Sequence, residues 1–133
     1  MSEQENLTLM SRMALLKAAV DAAYDYILHN TVLTFEQVNS PRLQRIKTAH
    51  EFFPTFVNLL DRFSSEHNVP AAGLDVSTLE RIAPSDSDEV LKAVGASLSR
   101  FQYVCSHYRS SSSAFREFEG CLANFLKLVK EEK

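Results

Sequence analysis

Four stretches of the chain carry apolar residues at alternating spacings of three and four, the interval that keeps side chains on one side of an α-helix. The first is Leu9, Met13, Leu16, Val20, Ala23 and Ile27; the second is Leu43, Ile46, His50, Phe53, Val57 and Leu60. Leu91, Val94, Leu98, Phe101, Cys105 and Tyr108 form the third, and Phe115, Phe118, Leu122, Phe125 and Val129 the fourth. The second stretch, Ser40 to Ser65, has a further apolar row in Ala49, Phe52, Phe56, Leu59 and Phe63, so it should touch two neighbours and be the most buried element.

The boundaries follow from local chemistry. Ser2 with Glu5 resembles a capping box, which predicts a first helix over Glu3 to His29. Thr34 and Gln37 offer a single turn within the following connection. Ser40 before Pro41 starts the second helix, since proline at the first helical position gives up an amide that would have no partner anyway. Pro54 lies inside that helix, and a kink or break is expected near Phe52 to Pro54. After Glu66 the two prolines, one glycine and several turn formers read as a long connection, with a short helix from Ser77 to Ala83. Ser85 to Asp88 starts the third helix with acids at its positive end. Ser110 to Ser113 reads as a tight turn that caps the fourth.

The expected fold is all-α: an antiparallel four-helix bundle with a long loop, carrying a short helix, between helices 2 and 3, formed by residues 1–133 as one domain. A chain of 133 residues buries roughly two thirds of its unfolded surface. Nine phenylalanines and no tryptophan point to a core built on benzyl packing.

Charge adds little at the level of the whole chain. A net charge of −3 argues against a general nucleic-acid or membrane-surface binder. The start, MSEQENLTLM, is polar and acidic rather than a secretory signal, and no apolar run reaches the ~20 residues a bilayer requires, so a cytoplasmic protein is expected. Cys105 and Cys121 make neither a disulfide framework nor a metal-type spacing; they read as reduced core thiols at about the same level of adjacent helices. Asp21, Asp25 and His29 share a face at spacings of four and read as a solvated stripe rather than a metal site. No cofactor and no metal are expected.

Up-down-up-down topology gives the charges a polarity. The C-termini of helices one and three would then share an end with the N-termini of helices two and four. That end would gather His29, Arg42, Arg45, Lys47, His107, Arg109 and Arg116, with Arg100 two turns earlier, into a basic pole. Helix two opposes its own dipole by placing Arg42, Arg45 and Lys47 near its positive end, and an anion there would relieve the conflict. Arg42, Arg45, Lys47, Arg109 and Arg116 are therefore the candidate binding residues.

Arg100 and His107, in RFQYVCSH, are separated by six residues, and Arg45 and His50 by four. This resembles the R-x(4–6)-H motif of HEPN domains, small helical bundles many of which are metal-independent ribonucleases acting as dimers. The resemblance implies His107 acting on a ribose hydroxyl and Arg100 stabilising phosphate charge. The leading expectation is instead a non-catalytic module for protein–protein contact, an adaptor, inhibitor or small subunit, using the basic pole and the loop from Asn68 to Ser85. A protein partner, with a homodimer among the candidates, is favoured over nucleic acid, and no membrane association is expected.

Overall fold

The computed structural model describes residues 8–30 and 41–130. The proposed capping box at Ser2 and Glu5, the turn at Thr34 and Gln37, and Ser40 lie outside them. Among the described residues there are four α-helices: α1 (Leu9–Asn30), α2 (Pro41–Glu66), α3 (Ser87–Val104) and α4 (Ser113–Lys130). Thr8 caps α1, its Oγ1 accepting from the Ser11 amide at 3.0 Å. Ser112 caps α4, its Oγ accepting from the Phe115 amide at 3.2 Å while donating to Glu66 Oε1 at 2.9 Å. The serine turn thus starts one helix and ties it to the end of another. Pro54 does not break α2, which runs without interruption from Pro41 to Glu66. Pro54 is exposed, so the carbonyl deprived of its amide can be hydrated.

All the helices face inward much as their spacing predicts. The six positions of the α1 seam are buried, and so are Leu91, Val94, Leu98, Phe101 and Cys105 from the third stretch. On α2 the core row is Leu43, Ile46, Ala49, Phe53, Phe56, Leu59, Leu60 and Phe63, while His50 and Val57 sit at its margin. Phe56 is the hub of the centre, with edge contacts to Phe53, Phe118 and Phe125 at centroid distances of 5.4–5.7 Å. Such pairs add about 0.5–1.5 kcal/mol each beyond simple burial.

α2 packs against α1 on one side and α4 on the other, and α3 closes the ring between them. The direction of α3 differs from the expected one. Arg42 and Arg45, in the first turns of α2, bond to Ser87 and Asp88 in the first turn of α3. At the opposite end Phe63, near the end of α2, meets Tyr108 and Phe115. α2 and α3 are therefore parallel and diagonal, and the order is up-down-down-up rather than up-down-up-down. Every adjacent pair is still antiparallel, which keeps the helix dipoles paired.

This topology needs a connection that returns along the length of the bundle, and residues 67–86 supply it. The segment carries two 3-10 turns, Ala71–Gly73 and Ser77–Arg81, the second at the place where a short helix is expected. It is packed rather than draped: Leu74 and Val76 are buried, and Ser97 Oγ donates to the Asp75 carbonyl at 2.7 Å. The Arg12 guanidinium, itself buried, donates to the Leu74 carbonyl at 3.1 Å. Gly73 rests on α3 so closely that an added Cβ would lie 3.2 Å from Val104 Cγ1.

Candidate interaction surfaces

Reversing α3 divides the basic pole. Arg42, Arg45 and Lys47 lie at one end of the bundle, whereas Arg109 and Arg116 flank the start of α4 at the other, about 27 Å away along the 18 residues of α3. Arg42 donates through Nε to Ser87 Oγ at 2.9 Å and through Nη2 to the Ser85 carbonyl. Arg45 pairs with Asp88 at 2.9 Å, its side chain only 13% exposed. The charges that oppose the α2 dipole are thus taken up by the start of α3, whose acids suit its own positive end. Lys47 stays exposed. At the far end Arg109 grips Glu119, with Nε at 3.0 and 3.1 Å from the two carboxylate oxygens, while Arg116 is exposed.

The arginine and histidine of the RFQYVCSH stretch are not set on one helical face. α3 ends at Val104, and His107 falls in a separate 3-10 turn, Ser106–Tyr108, where its ring lies 4.0 Å from that of Tyr108. Arg100 acts electrostatically on Asp75 in the crossover, whose pKa is held below the ordinary aspartate value, first by the Ser77 amide and hydroxyl and then by Arg100 and Arg12. The second match, Arg45 to His50, is also divided: Arg45 reaches α3, and His50 reaches α1.

His50 Nδ1 lies 2.6 Å from Asp21 Oδ1, and its ring stacks on Tyr24 at 5.0 Å. It is half exposed rather than a core residue, and Asp21 faces α2 rather than belonging to an outward stripe. Partial burial disfavours the Asp21 charge, but hydrogen bonds from Lys17 and His50 outweigh it and lower the pKa. Neither cysteine is activated. Burial pushes the Cys105 thiol up to about 11 and raises that of Cys121 as well. The approach of Gly95 to Leu126 and of Phe101 to Phe118 sets the α3–α4 register. In it Cys121 lies further along the bundle axis than Cys105, not at its level. Among the described residues no group of three or more His, Cys, Asp or Glu side chains is placed to hold a metal ion, and no helix is long and apolar enough to cross a membrane.

The surface feature that sequence reasoning passed over is on α1. Leu15, Ala18 and Ala19 form one wall of a groove of about 290 Å³, and Val76, Leu79 and Glu80 of the crossover form the other. Leu15 is 43% exposed at its lip. The signal was present in the chain as apolar residues off the main seam, Ala14, Leu15, Ala18 and Ala22, all of them exposed. The inner seam orients the helix but carries no information about this outer row.

No protein-family model matches the chain, and neither a curated protein nor a solved structure shows detectable similarity to it.

Proposed function

We propose that the protein is a non-catalytic, cytoplasmic helical module for protein–protein contact, and that its contact surface is the outer face of α1 with the adjoining crossover. The observation that carries this reading is the apolar groove between Leu15, Ala18 and Ala19 on one side and Val76 and Leu79 on the other. Exposed apolar surface beside a groove is a recurrent mark of contact sites. The basic pole no longer supports the reading, because Arg42, Arg45 and Arg109 are engaged within the chain. The ribonuclease alternative loses the common helical face it relied on, since α3 stops before His107.

The test is co-purification of the full chain from its native host, comparing the wild type with Leu15→Glu and with Lys47→Glu as a surface control. The expected result is a reproducible bound protein, either another protein or a second copy of the chain, lost with Leu15→Glu and retained with Lys47→Glu. Equal recovery with both variants would move the surface elsewhere, and no reproducible bound protein would remove the reading.

A further inference from the structure

The outer side of α1 carries a second three-four alternation. Ser11, Leu15, Ala18, Ala22, Asp25 and His29 follow at spacings of 4, 3, 4, 3 and 4, and all six are exposed. From Thr8 to Ala22 this outward face has no charge. The outer faces of the other helices are different: Lys47, Glu51 and Asp61 on α2, Glu89 and Lys92 on α3, and Arg116 and Lys127 on α4 are all exposed. A seam of this period is what two helices use to pack side by side.

We propose that this seam and the adjoining groove bind a second copy of the chain, with the two α1 helices antiparallel about a two-fold axis between Leu15 and Ala18. The inference rests on the contact surface proposed above and names its occupant. In this register Leu15 of each copy lies against Ala18 of the other, where the groove of about 290 Å³ bounded by Ala18, Ala19, Val76 and Leu79 is open to receive it. Ser11 falls opposite Ala22, so a bulky side chain meets a small one at the centre and the next layer is small on both sides, with the exposed Tyr26 beyond it. A two-fold contact uses one patch twice, which demands such self-complementarity.

Charge selects the antiparallel direction. The first turn of α1 contains no acidic residue, and Asp25 stands near the helix C-terminus, where its charge opposes the dipole. In the antiparallel register Asp25 of each copy comes opposite Thr8, the capping residue of the other, and its carboxylate meets the positive end of that helix. Each Asp25 keeps its place on its own helix and gains a favourable one at the start of the other. A parallel pairing would set Asp25 against Asp25.

The contact is small. From Thr8 to Asp25 it extends about 27 Å, and one helix width of about 10 Å gives roughly 270 Å² per copy before the crossover is added, against ~800 Å² for a standard interface. The dimer is accordingly weak and concentration-dependent.

Sedimentation equilibrium of the full chain up to about 1 mM should show a reversible monomer–dimer transition, with Ala18→Glu weakening it about tenfold or more while far-UV circular dichroism stays unchanged. A mixture of Leu15→Cys and Ala18→Cys proteins, oxidised mildly, should form a mixed disulfide dimer. Ala22→Cys alone should not, because the two sites lie about 16 Å apart along the axis. A chain monomeric throughout that range overturns the dimer. If Leu15→Glu still abolishes capture of a different protein in that case, the contact surface stands with another occupant. Efficient dimerisation of Ala22→Cys alone would also overturn the proposal, since it requires either a parallel arrangement or another antiparallel register.

Discussion

His50 and Asp21 show how one contact can join two helices without a buried core role. The short bond between them, with Lys17 at 2.7 Å on the other carboxylate oxygen, holds Asp21 ionised. Its folded pKa lies below its ordinary value despite the opposing effect of partial burial. Near pH 4 the unfolded chain therefore binds more protons at this site than the folded one, so the site's stabilisation is complete well above that pH and is lost as pH falls through the folded pKa. Asp75, lowered by its bonds from Ser77, acts in the same direction. Urea melts between pH 3 and about 7 should show stability declining on the acid side, and Asp21→Asn should flatten that decline. An unchanged slope in Asp21→Asn would mean that the bond contributes nothing in solution. The sequence placed His50 on the seam because periodicity counts every third or fourth residue as inward. It gives no sign that a carboxylate 29 positions earlier would draw the ring to the margin. Arg42 and Arg45 were marked for a similar reason: their conflict with the α2 dipole is real, but its resolution lies 43 to 45 residues away in the start of α3.

Among the elements, helix existence and inward faces were legible, and the connection between α2 and α3 was not. Amphipathic spacing reports which side of a helix is buried whatever its neighbours are, so the α1 seam was read correctly to the last residue. The segment from His67 to Asp86 has no such periodicity. Its place is fixed by single anchors: Leu74 and Val76 buried against the bundle, Ser97 on the Asp75 carbonyl, and Arg12 on the Leu74 carbonyl. Arg12 is the unusual one, a buried arginine whose stem packs in the core while its head holds a carbonyl that water cannot reach. Replacing it with methionine keeps the stem and removes the donor, leaving the Leu74 carbonyl short of a partner at a cost of about 1–3 kcal/mol. Hydrogen exchange should register the loss locally. The amides of Gly73, Leu74, Leu79 and Ile82, which close the two 3-10 turns, should exchange faster in Arg12→Met. Those of α2 and α4 should keep most of their protection. Uniform acceleration across all four helices would mean that the crossover and the bundle open together.

At the scale of the whole molecule, the seams do not determine direction. A twenty-residue connection can extend up to about 66 Å, more than twice the ~27 Å length of α3, so it can either turn back at once or traverse the bundle. Either path would bury the same apolar rows. What distinguishes them is the pairing at the helix ends: the acids that begin α3 meet the arginines that begin α2, whereas the reverse direction would bring Asp88 towards Glu66, the carboxylate ending α2. The topology is open to a direct check. In a doubly substituted chain, Arg42→Cys with Ser87→Cys, the two thiols replace groups that touch at 2.9 Å and should be joined within the chain by a short bifunctional maleimide. Arg42→Cys with Arg116→Cys should give no such link, because those positions mark opposite ends. The native thiols, Cys105 buried and Cys121 partly buried, are both shifted towards their unreactive protonated forms and should label slowly by comparison. Peptide mass spectrometry would identify the joined segments, and a link in the second variant but not in the first would restore the up-down-up-down order. It would also bring Arg42, Arg45, Arg109 and Arg116 back to one end, and with them the case for an anion-binding pole.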